Sequence, residues 1–229
     1  MIQVIHNKHN IMDAFSPLKK GKHVISIVGA GGKTSLLYAM AEWFEKQGKK
    51  TIVTTSTHIY PPKEAFRMDV LSCWKQNKYA VIGKKVKNKL EFSEILSLYI
   101  SRADIVLIEA DGSKHKPCKI PNKNEPVILK QTDCVIGVIG LSALQKPIQE
   151  VCFRVDEICS FLNKEKEDVL TVEDVIKMIQ SEVGLKKGCS NRDFYVVLNQ
   201  CDGKKELEYA QEIMKGLQEN TIVSCLKEG

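Results

Sequence analysis

No apolar run in this chain is long enough to cross a bilayer. The longest mainly apolar stretch, Cys134 to Leu144, has eleven residues, whereas a membrane span needs about 20. The opening MIQVIHNKHN has no basic segment leading into an apolar run, so it does not read as a secretory leader. The expectation is a cytoplasmic protein with no membrane attachment. Arginine is scarce: of 34 basic residues only four are Arg, at 67, 102, 154 and 192. Readers of DNA sequence depend on Arg forks for guanine edges. Aromatics make up 7% and are not interleaved with the basic residues, so stacking platforms are lacking too. Nucleic acid is disfavoured as a partner, and the net charge of +6 reads as a lysine-rich solvated surface. None of the eight cysteines stands three residues from another, which excludes CxxC zinc and redox motifs. Reduced thiols are expected, with Cys134 as a small core residue ahead of VIGVIG. The five histidines, at 6, 9, 23, 58 and 115, show no zinc-ligand spacing. Internal repeats, low-complexity tracts and Gly/Ser linkers are absent.

What is present is enough apolar residue, 43% of 229, for a substantial core. The recurring unit is a short β-branched run followed by a helical pattern. His23 to Val28 reads as a strand ending at glycines. Thr34 to Gln47 reads as a helix, with Leu36, Leu37, Met40, Ala41, Trp43 and Phe44 near one face and Gly48 past its end. Thr51 to Thr57 is a second strand, stopped by Pro61-Pro62. Tyr79 to Ile82 and Leu90 to Phe92 flank a lysine-rich turn and are expected to pair as a hairpin. Ser93 to Ser101 reads as helical with Ser93 as its cap. Ile105 to Ile108 and Val135 to Ile139 are the fully apolar strands of a sheet buried on both faces. Thr171-Val-Glu-Asp174 resembles a capping box opening a helix to about Glu182. A strand at Phe194 to Leu198, a helix at Lys204 to Gln218 and a short strand at Thr221 to Val223 complete the pattern. The expected fold class is α/β: a three-layer, P-loop NTPase-like domain over 1–229, its mostly parallel sheet flanked by helices on both faces. Residues 140–192 are the candidate for a small helical insertion. In such sheets ligands bind at the C-terminal strand ends.

Four motifs fall at those ends. The first is Ile27-Val-Gly-Ala-Gly-Gly-Lys33-Thr34, a shortened G-x-x-G-K-T loop between strand and helix. Gly29, Gly31 and Gly32 can take positive φ and turn successive N–H groups toward phosphate. The helix N-terminus adds partial positive charge. Lys33 suits the β and γ phosphates, and the Thr34 hydroxyl suits Mg²⁺. Gly29, Ala30, Gly31, Gly32, Lys33, Thr34 and Ser35 are therefore the candidate phosphate-binding residues. The second motif is Asp104-Ile-Val-Leu-Ile-Glu109-Ala-Asp111-Gly112, an apolar strand ending in acids. Mg²⁺ needs oxygen ligands, so Thr34, Glu109 and Asp111 are the metal candidates. Lys33, Glu109 and Asp111 are the catalytic ones, the division of labour between the two acids being open. Third, Asn199-Gln200-Cys201-Asp202 stands where GTPases carry N-K-x-D, with Gln in place of Lys. Asn199 and Asp202 are candidates for guanine recognition, against the alternative of a plain strand-closing turn; Ser224-Cys225-Leu226 follows the last strand. Fourth, Thr54 to His58 and Ser113-Lys-His115-Lys116 are expected to overhang the phosphates, with His58 as a possible proton carrier.

The segments SIVGAGGKTSLL, TIVTTSTHIYPP, VLIEADGSKHKPCKIP, GLSALQKP and VVLNQCDG resemble, in order and spacing, the YqeC family of selenium-dependent hydroxylase accessory proteins. The resemblance spans roughly residues 20–225. It implies a P-loop nucleotide-binding protein that assists maturation of selenium-dependent molybdenum hydroxylases, with such a hydroxylase or its cofactor as partner. It carries over Gly29, Gly32, Lys33, Thr34, Glu109 and Asp111 as nucleotide and Mg²⁺ site. One departure is Cys152-Phe153-Arg154, where the pattern leads one to expect His before the Arg. The resulting expectation is a Mg²⁺-dependent binder and slow hydrolase of GTP or ATP. Two rival readings stay open: an amide ligase with a Mur-type short P-loop, and a non-catalytic binder of a nucleotide-bearing molybdenum cofactor.

Overall fold

The computed structural model describes residues 3–4, 12–61, 65–217 and 219–225. Its strands are β1 (Gln3–Val4), β2 (His23–Gly29), β3 (Thr51–Thr55), β4 (His58–Ile59), β5 (Ala80–Val81), β6 (Lys84–Val86) and β7 (Lys89–Glu91). They continue with β8 (Ile105–Glu109), β9 (Cys118–Lys119), β10 (Cys134–Gly140), β11 (Cys152–Phe153), β12 (Asp193–Asn199) and β13 (Asn220–Val223). Eight of them form one sheet in the order β1-β13-β12-β10-β2-β8-β3-β5. Every pairing in it is parallel. Parallel sheets must be covered on both faces, and alternation along the strands shows the two layers. In β10, Ile136 and Val138 pack into the cluster containing Leu36, Met40 and Phe44 of the helix Lys33–Lys46. Val135 and Ile139 pack into the opposite cluster with the helices Val155–Leu162, Val172–Gln180 and Lys204–Lys215. In β8, Ile105 and Leu107 face the first cluster and Val106 and Ile108 a third, with Val70, Cys73 and Leu96. The α/β, three-layer, P-loop NTPase-like architecture follows.

The capping box at Thr171 and Asp174 is present, and Cys134 is fully buried. Two local expectations are corrected. Ala80–Val81 does not pair with Leu90; it runs parallel to β3 as an edge of the main sheet. Both its residues are fully buried, which suits a sheet covered on both faces rather than a half-exposed hairpin. The hairpin instead joins Lys84–Val86 to Lys89–Glu91, with His58–Ile59 added outside as a third antiparallel strand. The Ser93 to Ser101 helix is confined to Leu96–Tyr99 and is not capped by Ser93. Residues 140–192 carry helices at Ile148–Val151, Val155–Leu162 and Val172–Gln180 beside β11. The remaining pair, β9 and β11, forms a parallel ladder beside the main sheet. No disulfide links the cysteines among the described residues, and no described helix is long and apolar enough to cross a membrane. Because all eight strands run the same way, their C-terminal ends gather at one edge.

Candidate functional site

β2 is a central strand, flanked by β10 and β8, and the glycine loop leaves its C-terminal end for the helix Lys33–Lys46. Gly29, Gly31 and Gly32 hold φ of 95°, 86° and 110°. Space as well as φ demands glycine here: a Cβ on Gly29 would meet Val138 O at 2.2 Å, and one on Gly31 would meet Gly140 N at 2.3 Å. Side chains cannot enter that gap, so the loop lies directly against β10. Two of its N–H groups are already engaged. Gly29 N donates to Asp111 Oδ2 at 3.0 Å, and Ala30 N donates to Val138 O at 2.8 Å. The first helical bond runs from Leu36 N to Gly32 O, so the N–H groups just before Leu36 stand at the positive end of the helix.

The two acids divide. Glu109 ends β8 with only 7% exposure and accepts a 2.7 Å hydrogen bond from the Thr34 hydroxyl. Burial pushes its carboxyl above the ordinary range, against Lys33 and the Thr34 bond, which pull it down. Asp111 is almost wholly enclosed, its side chain 2% exposed. Its Oδ1 lies 3.3 Å from Lys33 Nζ and its Oδ2 3.0 Å from Lys119 Nζ. Lys33 is itself buried and donates to Gly29 O at 2.7 Å. Lys119 continues the chain to Glu125 at 2.8 Å, and Glu125 to Arg154 at 3.1 Å. For the Glu125 carboxyl, burial would raise the pKa, but Lys119 and Arg154 prevail and hold it below the usual range.

The sequence motifs assign no site role to Lys119 or Glu125, although Lys119 lies in the VLIEADGSKHKPCKIP segment. A signal existed: Lys119 interrupts the otherwise apolar Cys118-Lys-Ile120, both neighbours being buried. A lysine flanked by apolar strand residues is the pattern of a buried, paired charge. Phe153, standing where a His was expected, lies beneath Arg154 and Lys114, with ring centroids 4.8 and 5.2 Å from the guanidinium carbon and the ammonium.

At the end of β12, Asn199 is fully buried and its Nδ2 donates to Gly31 O at 2.7 Å, bracing the loop. Asp202 is exposed and accepts from Cys225 Sγ at 3.0 Å. Gln200 accepts from Ser142 Oγ at 2.5 Å, and Leu226 lies outside the described residues. A cavity of about 640 Å³ opens over these strand ends. Gly31, Gly32, Lys33, Thr34 and Glu109 line it, whereas Ala30, Ser35, Asn199 and Asp202 do not. His58 lines it as well, held 3.0 Å from Glu91. Ser113, Lys114, His115 and Lys116 form part of the same wall, the ammonium of Lys116 being tied to Glu150 O at 2.6 Å.

A family model described as YqeC protein matches residues 25–156, more than half of the chain. The chain belongs to the YqeC family. A relative, Uncharacterized protein YqeC of Escherichia coli K12, is 29% identical over 231 residues, covering 89% of this chain and 86% of its own length. Among solved structures the chain is similar to FlhF complexed with GMPPNP/Mg²⁺, at 14% identity and TM-score 0.45, over 94% of this chain and 71% of that one. It is also similar to chloroplast FtsY from Physcomitrella patens, at 15% identity and TM-score 0.34, over 95% of this chain; there it spans 57% of the other chain. TM-scores this low add nothing to what the sheet order itself shows. The matched span of this chain contains the glycine loop, both acids, Lys119, Glu125 and Arg154.

Proposed function

We propose that this chain binds a Mg²⁺·nucleoside triphosphate at the glycine loop and hydrolyses it slowly. The observation that carries the reading is the pairing of Thr34 with Glu109 at the mouth of a loop that only glycine can build. A hydroxyl and a carboxylate oxygen 2.7 Å apart on the cavity wall form a hard-oxygen donor pair. Such a pair suits Mg²⁺, which takes one or two protein oxygens and completes its shell with phosphate and water. Thr34 and Glu109 would hold the ion, and its charge would offset that of the β and γ phosphates. Glu109 also suits the orientation of an attacking water, being buried beside the loop. Asp111, enclosed between Lys33 and Lys119, fits a positioning role: it fixes Gly29 N–H and keeps the Lys33 ammonium beneath the loop. Phosphate contact then requires Lys33 to exchange part of its interaction with Asp111 for the ligand.

The family resemblance supports an accessory role in maturing selenium-dependent molybdenum hydroxylases, with nucleotide turnover gating the handling of that partner or its cofactor. The test is a thermal-shift panel of ATP, GTP, CTP, ADP and GDP with and without Mg²⁺. A ligand at 100 times its Kd stabilises by about 2.7 kcal/mol. For a chain of this size that is a rise of about 5–11 °C. No shift with any triphosphate would overturn the reading.

Asp202 is the residue that tests the identity of the base. If Asp202 accepts from guanine, Asp202→Ala lowers GTP affinity roughly 10-fold or more, since each charge-assisted bond contributes about 1.5–3 kcal/mol. ATP affinity stays within twofold. Competition binding of GTP against ATP in wild type and variant decides it. ATP preferred by the wild type would make the 199–202 segment a structural turn. The exposed position of Asp202, with Cys225 as its partner, leaves its carboxylate accessible to a base.

A further inference from the structure

Strands β4 and β7 of the small antiparallel sheet wall the same cavity as the glycine loop. Strand alternation divides their residues. Ile59 and Leu90, 3% and 0% exposed, join the core cluster under the helix Lys33–Lys46. His58, Lys89 and Glu91 line the cavity, and Ile59 borders it from the core side. The loop 112–116 contributes to the same lining, and both Lys114 and His115 hold positive φ there, 47° and 61°. For residues with a Cβ this backbone is costly and persists only where the surroundings impose it.

The charges on these walls are unbalanced in one direction. Four lysines, 33, 89, 114 and 116, line the cavity against three carboxylates, and each carboxylate already has a hydrogen-bond or ion-pair partner: Glu91 in His58, Glu109 in the Thr34 hydroxyl, and Glu125 in Lys119 and Arg154. Lys89 and Lys114 have no carboxylate partner among the described residues. Each lies over an aromatic ring, Lys89 at 5.2 Å from the Tyr60 centroid and Lys114 at 5.2 Å from that of Phe153. Two cations without counter-charge in one concavity attract an anion. Tyr60 and Phe92, 48% and 40% exposed, line the same cavity. Aromatic surface beside converging polar groups is the lining of a small-molecule site.

We propose that this wall is a second-substrate site for a small planar molecule bearing a phosphate or carboxylate. Lys89 and Lys114 hold the oxyanion, and Tyr60 and Phe92 pack on the ring. The inference rests on the glycine loop being the nucleotide's phosphate site, which places both molecules in one cavity.

The probes are phenyl phosphate and benzoate, titrated calorimetrically into protein saturated with Mg²⁺ and a non-hydrolysable triphosphate, whose own binding is titrated first. At least one probe binds saturably with a Kd on the order of 1 mM or tighter. Which of the two binds better assigns phosphate or carboxylate. Lys89→Ala and Lys114→Ala weaken that binding by roughly tenfold; Lys89→Arg, which keeps the charge, restores most of it. Lys85→Ala, on the opposite face of the hairpin, leaves it unchanged. Nucleotide affinity in Lys89→Ala equals that of the wild type and certifies its fold. The inference is overturned if the nucleotide binds and neither probe does. It is equally overturned if Lys85→Ala weakens the probe as much as Lys89→Ala, which would reduce the effect to general surface charge. Failure of the nucleotide to bind overturns the proposed function, and this inference with it.

Discussion

Asp111→Asn is expected to lower the unfolding free energy by about 3–5 kcal/mol, the cost of breaking a buried ion pair from one side. Asn has nearly the shape of Asp, so little packing is lost; what changes is charge. Lys33 and Lys119 have side chains 2% and 0% exposed, and neither ammonium can reach water without rearrangement. Lys119 retains Glu125 and Lys33 retains Gly29 O, which keeps the effect from being larger. The Gly29 N–H also loses a charged acceptor, so the loop should loosen. Urea denaturation followed by circular dichroism measures the loss. At about 2–4 °C per kcal/mol for a chain of this length, the melting temperature falls by about 6–20 °C. A loss below about 1 kcal/mol would mean the two lysines are solvated or re-paired, and the network would not be the anchor described.

Lys33→Ala is expected to weaken triphosphate binding by roughly 10–150-fold, the worth of a hydrogen bond to a charged group at about 1.5–3 kcal/mol. The effect should be largest for triphosphates and small for a nucleoside monophosphate, because the lysine serves the distal phosphates. A stability loss accompanies it, since Lys33 is a buried partner of Asp111 and not a solvated side chain awaiting ligand. It should be smaller than that of Asp111→Asn, because Asp111 keeps Lys119. Titration with a fluorescent nucleotide gives the affinity, and the same urea experiment gives the stability. Unchanged affinity in a folded Lys33→Ala protein would remove the glycine loop as the phosphate site.

The central strands were legible because a strand buried on both faces must be apolar throughout. β2, β8, β10 and β12 run within a residue or so of the bounds their apolar runs suggest. The loop was legible because few sequences place three glycines, Lys and Thr between a strand and a helix. Short elements were not. The 3-10 helix Met12–Lys19, the helix Val70–Lys75 and the β9–β11 ladder have too few residues for a periodic signal, and their partners lie far along the chain. The hairpin was misplaced for the same reason. Tyr79 to Ile82 and Lys84 to Val86 are adjacent, and pattern alone cannot tell which pairs with Leu90.

Sequence by itself determined that a glycine loop, Lys33 and Thr34 would stand at a strand end beside acids. It could not determine which acid does what. Glu109 and Asp111 are two residues apart, and strand alternation would turn both to the same side. That alternation holds only while the ladder lasts, and β8 ends at Glu109. Beyond it, Ala110 still donates to Ile27 O but accepts from Val127 N, a contact with a distant segment. The chain turns there, leaving Glu109 on Thr34 and sending Asp111 between Lys33 and Lys119. Lys119 comes from the short strand β9, whose position is fixed by its pairing with β11, thirty-odd residues further on. A buried charge takes whatever counter-charge the fold delivers, and only the tertiary structure decides which one that is.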